Sequence, residues 1–173
     1  MQQPNIDWAN LPFGYLPTDY NVRCYYRNGA WGEIETSSSE YINLHMAATC
    51  LHYGQEAFEG LKAYRCPDGK IRAFRIEENA ARMQHTAQGI LMAEMPTDKF
   101  CEMVRRVILL NERFIPPYET GAALYIRPLL IGTGPQVGVR PANEYLLLMF
   151  VTPVGPYFKG GFSTNNYVIV REY

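Results

Sequence analysis

Tyr125 and Arg127 are two polar side chains within an otherwise apolar run of the sequence, residues 122–131. Successive side chains of a β-strand point to opposite faces, so a strand here places Tyr125 and Arg127 together on one face. A guanidinium in so apolar a strand is unfavourable to bury unless a carboxylate or a phosphate meets it. We therefore expect Arg127 to bind an anionic ligand or to form an internal salt bridge with Glu56 or Glu59, and the sequence leaves both open.

A glycine-rich segment, residues 132–138 (GTGPQVG), follows this run and superficially suggests a phosphate-binding loop. Such a loop needs a helix N-terminus directly after its glycines, because backbone N–H groups and the helix dipole must converge on the phosphate. Pro135, Val139 and Pro141 argue against that helix. The segment is interpreted as a glycine-rich connection between two strands.

Residues 52–64 (HYGQEAFEGLKAY) combine two glycines with aromatic and ionisable side chains where a strand is predicted to begin. The glycines allow either a close approach of the backbone to a ligand or a tight turn followed by a bulge. Arg82 lies between Ala81 and Met83 on a predicted helix. Taken by itself, an isolated helical arginine is usually solvated or extends along the protein surface.

Metal chemistry is not indicated, because the cysteines and histidines are scattered without zinc-ligand spacing. We predict no metal site and interpret the four cysteines as free thiols in a reducing compartment. Lysines are few among the sixteen basic residues, which limits the candidates for Schiff-base chemistry. They are Lys62, Lys70, Lys99 and Lys159.

The composition predicts one folded domain of ordinary size, or one domain with a piece of another, because 47% of the 173 residues are hydrophobic and 19% are charged. A net charge of −1 gives no electrostatic footprint for a nucleic-acid backbone. The longest uncharged stretch near the C-terminal end, residues 145–157, is too short to span a bilayer. The first residues contain no basic or apolar leader, so we expect a cytoplasmic protein without a secretory signal.

Two β-hairpins are predicted in the first half of the chain. The first covers residues 20–36 around Asn28-Gly29, the dipeptide that best fits a two-residue type I′ turn. The second covers residues 58–75 around a polar tip, residues 66–69 (CPDG).

Two amphipathic helices are predicted after the hairpins. The first covers residues 77–92, and the second begins with Thr97 as its N-cap and runs to about Phe114, before Pro116-Pro117. Apolar residues recur at steps of three and four in the first helix, which is typical of a helix packed on one face. These residues are Ala80, Met83, Ala87 and Ile90.

The chain then returns to two apolar strands, residues 122–131 and 145–152. The order ββββααββ lacks regular strand–helix alternation, so we predict an α+β two-layer sandwich of a largely antiparallel sheet covered by two helices. A small N-terminal α/β domain is expected over residues 1–152, and a linker rich in proline and glycine over residues 153–162. Residues 163–173 are expected to be the first strand of a second domain in which the chain is truncated.

Four segments together resemble the branched-chain-amino-acid aminotransferases, pyridoxal-phosphate enzymes of fold type IV. The segments are HYGQEAFEGLKAY (52–64), RIEENAARM (75–83), GAALYIRPLLIG (121–132) and VTPVGPYF (151–158), in this order. The sequence is similar to these enzymes more than to the D-amino-acid aminotransferases or the aminodeoxychorismate lyases, mainly through FEGLKAY and LYIRP. The resemblance implies a two-domain homodimer that holds pyridoxal 5′-phosphate in the cleft between its domains, with this chain as the small domain.

The resemblance also implies roles for polar side chains. Arg82 matches an arginine on the cofactor phosphate, which suits a fixed charge-assisted donor. Tyr125 matches a tyrosine whose hydroxyl helps to orient the substrate carboxylate. Arg127 matches the arginine that helps to receive the side-chain carboxylate of glutamate.

Apolar residues receive roles from the same resemblance. Phe13, Tyr53 and Phe58 match the wall of an apolar pocket for leucine, isoleucine or valine. Val137 and Val139 lie in the glycine-rich loop, which in the family reaches into the site of the neighbouring subunit.

The lysine that forms the Schiff base in this family is expected beyond Tyr173, and none of the four lysines present matches it. We therefore expect no catalytic residue in this chain, and no activity from the chain alone. The parent enzyme is expected to transfer the amino group of leucine, isoleucine or valine to 2-oxoglutarate. A non-catalytic binding module that keeps the fold is the alternative from a different functional class.

Overall fold

The computed structural model describes residues 4–156, 164 and 168–170. These residues contain one sheet of eight strands and three α-helices. The strands are β1 (Asn21–Arg27), β2 (Ala30–Trp31), β3 (Glu35–Ser37), β4 (Glu56–Phe58), β5 (Leu61–Arg65), β6 (Ile71–Ala73), β7 (Ala123–Gly132) and β8 (Tyr145–Val154). The helices are α1 (Thr49–Tyr53), α2 (Ile76–Gly89) and α3 (Thr97–Leu110).

The sheet has the strand order β2-β1-β8-β7-β5-β6, with β3 paired to β1 and β4 paired to β7. Every pair is antiparallel. The central pair, β7 and β8, runs in register over ten residues from Ala123 opposite Val154 to Gly132 opposite Tyr145. The α+β fold class predicted from the order of elements is therefore confirmed.

Both hairpins are confirmed, although each has a shorter arm than predicted. Asn28 and Gly29 have φ values of 54° and 79°, as the two positive angles of a type I′ turn require. The return arm divides into β2 and β3, which pair separately with β1. In the second hairpin β5 pairs with β6, while the residues before Gly60 form β4 and pair with β7 instead.

The helix α2 is confirmed, and its buried residues are Ala80, Met83 and Ala87. Its predicted end is wrong, because α2 ends at Gly89 and Ile90 lies beyond it with an exposed side chain. The predicted start of α3 is wrong by one residue: Pro96 occupies the N-cap position and Thr97 is the first helical residue. The predicted end is also wrong, since α3 ends at Leu110. Glu112–Phe114 forms a separate 3-10 turn.

Asn111 explains why α3 ends early. The side chain of this buried residue donates to the carbonyl oxygens of Tyr20 and Val107 and accepts from the backbone N–H of Tyr20. These bonds tie the end of the helix to a segment 91 residues away in sequence. No local pattern reveals such a partner.

The hydrophobic core lies between one face of the sheet and the helices α2 and α3. It includes Phe100 and Met103 of α3, Ile126 of β7 and Met149 of β8, all without exposed surface. The described helices include none long and apolar enough to cross a membrane. The predicted linker and the strand after it lie largely outside the described residues, so the division into domains stays a prediction.

The N-terminal segment lies across the end of β8. The backbone N–H of Leu16 donates to Thr152 Oγ1 at 2.8 Å, and Thr18 Oγ1 donates to the carbonyl oxygen of Val151 at 3.1 Å. The backbone N–H of Gly155 donates to the carbonyl oxygen of Pro12 at 3.3 Å. The side chains of the N-terminal segment therefore lie close to the end of β8.

Candidate functional site

Tyr125 and Arg127 lie on the face of β7 opposite the helices, as the alternation of the sequence predicts. Both are half-buried, whereas Leu124 and Ile126 have no exposed surface. Tyr125 lies opposite Thr152 and Arg127 lies opposite Phe150 in the register with β8. Directly opposite residues of an antiparallel pair share a face, so β8 adds both of its side chains to the same surface.

The Arg127 guanidinium is held by aromatic side chains. Its Nε donates to the Tyr125 hydroxyl at 3.1 Å, and its Cζ lies 4.5 Å from the centre of the Phe58 ring and 5.3 Å from that of Tyr125. Both distances suit a cation–π contact. Within the described part of the chain neither Glu56 nor Glu59 forms a salt bridge with Arg127, so the salt-bridge alternative is wrong. The other alternative, an anionic ligand, stays a prediction.

An open cleft lies beside these residues on the same face of the sheet. Phe13 meets Tyr125 edge to face, with ring centres 5.6 Å apart, and Tyr15 meets Phe150 in the same way at 6.0 Å. An aromatic wall with one guanidinium suits a small molecule that combines a carboxylate with an apolar part. The cleft is lined by Phe13, Gly14, Tyr15, Tyr125, Arg127, Phe150, Thr152 and Val154.

Arg82 projects from α2 towards the joint between β4 and β5, where it pairs with Glu59. Arg82 Nε and Nη2 donate to the two carboxylate oxygens of Glu59 at 2.7 and 2.6 Å, and Asn79 Nδ2 donates to one of them at 2.9 Å. Glu59 is only 5% exposed, whereas the Arg82 side chain is 65% exposed. Burial acts to raise the pKa of Glu59, but the bonds from Arg82 and Asn79 outweigh it and hold that pKa below its usual value.

The exposed part of Arg82 fits a phosphate ligand. The bonds to Glu59 use Nε and Nη2, and most of the side chain remains accessible. A guanidinium has five N–H donors, so it can hold a carboxylate on one edge and a phosphate oxygen on another. The described part of the chain contains no group of acidic, histidine or cysteine residues that could hold a metal ion.

Gly60 meets Tyr125 closely. A Cβ atom built on Gly60 would lie 2.5 Å from the Tyr125 hydroxyl oxygen, a distance that real Cβ atoms essentially never show. The two glycines of residues 52–64 therefore serve two different structural roles. Gly54, at a φ of 60°, ends α1, and Gly60 lets the backbone approach a side chain of the site.

Tyr53, Val137 and Val139 form a second group, at the loop between β7 and β8. The Tyr53 hydroxyl donates to the carbonyl oxygen of Val137. Val137 and Val139 are 89% and 92% exposed. No helix follows the glycines of this loop, so its interpretation as a connection between strands is confirmed.

The structure thus joins Phe13, Phe58, Tyr125 and Arg127 through pairwise contacts: Phe13 with Tyr125, Tyr125 with Arg127, and Arg127 with Phe58. The sequence pattern missed Tyr15 and Phe150, which complete the aromatic wall. It also suggested Glu59 as a partner of Arg127, whereas Glu59 pairs with Arg82. The signal for Phe150 was available, because alternation along β8 places it on the same face as Thr152. Glu59 carried no signal of its partner, since Arg82 lies 23 residues further along the chain.

Comparison with known proteins identifies clear relatives. A scan against protein-family models finds no match. A curated branched-chain-amino-acid aminotransferase from Haemophilus influenzae is 44% identical over 164 residues, which cover 95% of this chain and 48% of the relative. A chloroplastic branched-chain-amino-acid aminotransferase from Arabidopsis thaliana is 45% identical over 170 residues, which cover 97% of this chain and 40% of the relative. The chain therefore spans about half the length of the curated relatives it matches, or less.

Solved structures agree with the sequence comparison. The crystal structure of the Escherichia coli branched-chain amino acid aminotransferase superposes with a TM-score of 0.63 at 26% identity, covering 81% of this chain and 41% of that one. An aminotransferase of the same name from Thermobaculum terrenum, solved in its PLP-form, matches at a TM-score of 0.57 and 18% identity, which shows the fold alone. These comparisons do not favour the alternative of a non-catalytic module.

Proposed function

The chain belongs to the branched-chain-amino-acid aminotransferase family, and from this premise we propose that it is the N-terminal small domain of a transaminase. The proposed enzyme transfers the amino group of leucine, isoleucine or valine to 2-oxoglutarate. The observation that carries the proposal is the contact of Arg127 with Tyr125 and Phe58 on one face of β7, in a chain 44% identical to an enzyme of that name.

Arg127 and its aromatic neighbours account for the acceptance of two kinds of substrate. The aliphatic side chain of leucine can pack against the exposed rings of Phe13 and Phe58, and covering this apolar surface releases water. The side-chain carboxylate of glutamate can instead accept hydrogen bonds from the guanidinium of Arg127. The Tyr125 hydroxyl accepts from Arg127 and is proposed to donate its own hydrogen to the substrate's α-carboxylate.

Pyridoxal 5′-phosphate, when bound, supplies the carbonyl group that accepts and returns the amino group. Arg82 is the residue of this chain proposed to hold its phosphate. Glu59 keeps the guanidinium in place, and the exposed remainder of the side chain is available to the anion. Membership of the branched-chain-amino-acid aminotransferase family supports this cofactor.

We assign no catalytic lysine to this chain. Lys70 follows the tip of the β5–β6 hairpin, and Lys99 Nζ donates to the carbonyl oxygen of Gly32. Lys62 lies opposite Tyr125 in the pairing of β5 with β7, on the same face as the site. The proposed Schiff-base lysine lies in the longer protein, beyond Tyr173, and the 173 residues alone are proposed to be inactive.

The assembly proposed for the enzyme is a homodimer, supported by the exposed valines of the loop between β7 and β8. A loop that contributes to the neighbouring site needs apolar side chains that its own subunit leaves uncovered. A cytoplasmic location stays a prediction, since named plant relatives are chloroplastic or mitochondrial.

Replacing Arg82 by alanine in the full-length enzyme tests the proposed function. The loss of a charge-assisted contact should weaken retention of pyridoxal phosphate about tenfold or more, measured as cofactor content after dialysis. Arg105→Ala is the matched control, because Arg105 is an exposed arginine of α3. Undiminished cofactor content in Arg82→Ala counts against the assignment.

A further inference from the structure

We propose that Glu59 and Gly60 are positioning residues that set the cofactor-binding arginine and the substrate-binding tyrosine relative to each other. The inference rests on the proposed function and deepens it. Three consecutive residues at the joint of β4 and β5 each contact a different group of the site: Phe58 contacts Arg127, Glu59 binds Arg82, and Gly60 meets Tyr125.

Glu59 is a buried carboxylate whose polar neighbours come from α2. Two bonds of 2.6 and 2.7 Å join it to Arg82, and a third of 2.9 Å joins it to Asn79. A side chain that is 5% exposed cannot exchange these partners for water without a large loss. The direction of the Arg82 guanidinium is therefore fixed by Glu59, although Arg82 itself is mostly exposed.

The backbone of the same residue is fixed to the substrate side. The N–H of Glu59 donates to the carbonyl oxygen of Pro128 at 2.9 Å, directly after Arg127 in β7. Gly60 then lies so close to the Tyr125 hydroxyl that a Cβ atom at this position would displace it. Glu59 and Gly60 thus contact β7 on one side and α2 on the other. They therefore set the separation between the Tyr125 hydroxyl and the Arg82 guanidinium.

Two effects of removing the Glu59 charge act in opposite directions. The carboxylate repels a nearby phosphate, so neutralising it should strengthen cofactor binding if charge alone matters. It also orients the Arg82 guanidinium, so replacing it should weaken binding if positioning dominates. Glutamine in its place can accept only one of the two Arg82 bonds, and its amide group would confront the donors of Arg82 and Asn79.

The test is a crossed pair of variants in the full-length enzyme, Glu59→Gln and Gly60→Ala. Pyridoxal phosphate is titrated into each apoenzyme by calorimetry, and the Michaelis constant for leucine is measured in the loaded enzyme. Glu59→Gln should weaken cofactor affinity about tenfold and change the Michaelis constant less than about threefold. Gly60→Ala displaces the Tyr125 hydroxyl, so it should raise the Michaelis constant about tenfold with cofactor affinity nearly unchanged.

Asn79→Ala separates orientation from charge, because it removes one bond to Glu59 and alters no charge. It should weaken cofactor affinity about threefold, and it keeps the test valid if Glu59→Gln does not fold. Glu78→Gln is the control, since Glu78 lies on the same helix in an exposed ion pair with Arg75 and should change neither constant.

The outcomes distinguish this inference from the proposed function. If the wild-type enzyme binds cofactor and both Glu59→Gln and Asn79→Ala bind it equally tightly or more tightly, the positioning role is overturned. The proposed function is not affected by that result. Parallel losses of cofactor affinity and substrate affinity in both Glu59→Gln and Gly60→Ala also overturn it, since they indicate a general structural defect. A wild-type enzyme that binds no pyridoxal phosphate overturns the proposed function, and the positioning role with it.

Discussion

The strand β7 and the loop that follows it carry two parts of the candidate site, and the structure holds them in different ways. Tyr125 and Arg127 lie on the strand itself, where pairing with β5 and β8 fixes the direction of every side chain. Val137 and Val139 lie in the loop that follows, where both side chains extend into solvent. Residues on a central strand are thus positioned by the fold of this chain, whereas the described residues leave the loop valines almost uncovered.

The comparison predicts very different stability effects in β7 and in the loop that follows it. Leu124→Ala, beside Tyr125 but in the core, should lower the free energy of unfolding by about 3 kcal/mol, because it removes buried methyl groups and leaves a cavity. Val137→Ala should change it by less than about 0.5 kcal/mol. Urea denaturation of the 173-residue chain measures both. Equal losses would show that the loop is packed as firmly as the strand.

The strand end of the comparison also predicts a substrate-selective loss. Arg127→Leu in the full-length enzyme should raise the Michaelis constant for glutamate much more than that for leucine, because only glutamate loses a charge-assisted pair of about 1.5 to 3 kcal/mol. Steady-state kinetics with both amino acids measure the difference, with Arg105→Leu on α3 as the control. Equal increases in the Michaelis constants for glutamate and leucine would contradict the assignment of Arg127 to the side-chain carboxylate.

A smaller effect is expected from the electrostatics of Glu59, which joins the strand end to α2. Its pKa is lowered in the folded chain, so its stabilising contribution is present above its unfolded pKa and is lost as the pH falls through the folded pKa. Glu59→Gln should therefore cost about 1 kcal/mol of unfolding free energy at neutral pH, an amount kept small by the exposure of Arg82.

Urea unfolding of the wild type and Glu59→Gln at pH 7 and near pH 3 tests this dependence. The difference between the two proteins should shrink as the pH falls through the folded pKa of Glu59, because the carboxyl group then becomes protonated in the folded chain as well. Glu78→Gln, from an exposed pair on the same helix, is the control and should differ little from the wild type at either pH. A difference that is constant with pH would contradict the role of the Glu59 charge.

Local rules were sufficient for much of the fold. The turn at Asn28-Gly29 follows from the two positive φ angles that these residues tolerate, and the shared face of Tyr125 and Arg127 follows from the period of a strand. Both depend only on adjacent residues. The family resemblance added roles to residues that geometry alone could place but not interpret.

Features that depend on distant partners were not predictable in the same way. The end of α3 is set by Asn111 bonding to Tyr20, and Glu59 binds Arg82 on a helix rather than Arg127 on the neighbouring strand. In each case three-dimensional packing selects a partner that is distant in the sequence. Sequence patterns indicate which polar groups need partners. They do not indicate which partners the folded structure brings close.

We propose that this chain holds binding residues and that the Schiff-base lysine lies elsewhere in the protein. Mapping the lysines that pyridoxal phosphate labels tests this proposal most directly. The purified 173-residue chain is mixed with pyridoxal phosphate, reduced with borohydride and analysed by mass spectrometry, while leucine and 2-oxoglutarate are assayed for transamination. We expect no lysine to be labelled stoichiometrically and no turnover. Stoichiometric labelling of one lysine with turnover, above all at Lys62 opposite Tyr125, would contradict the proposal.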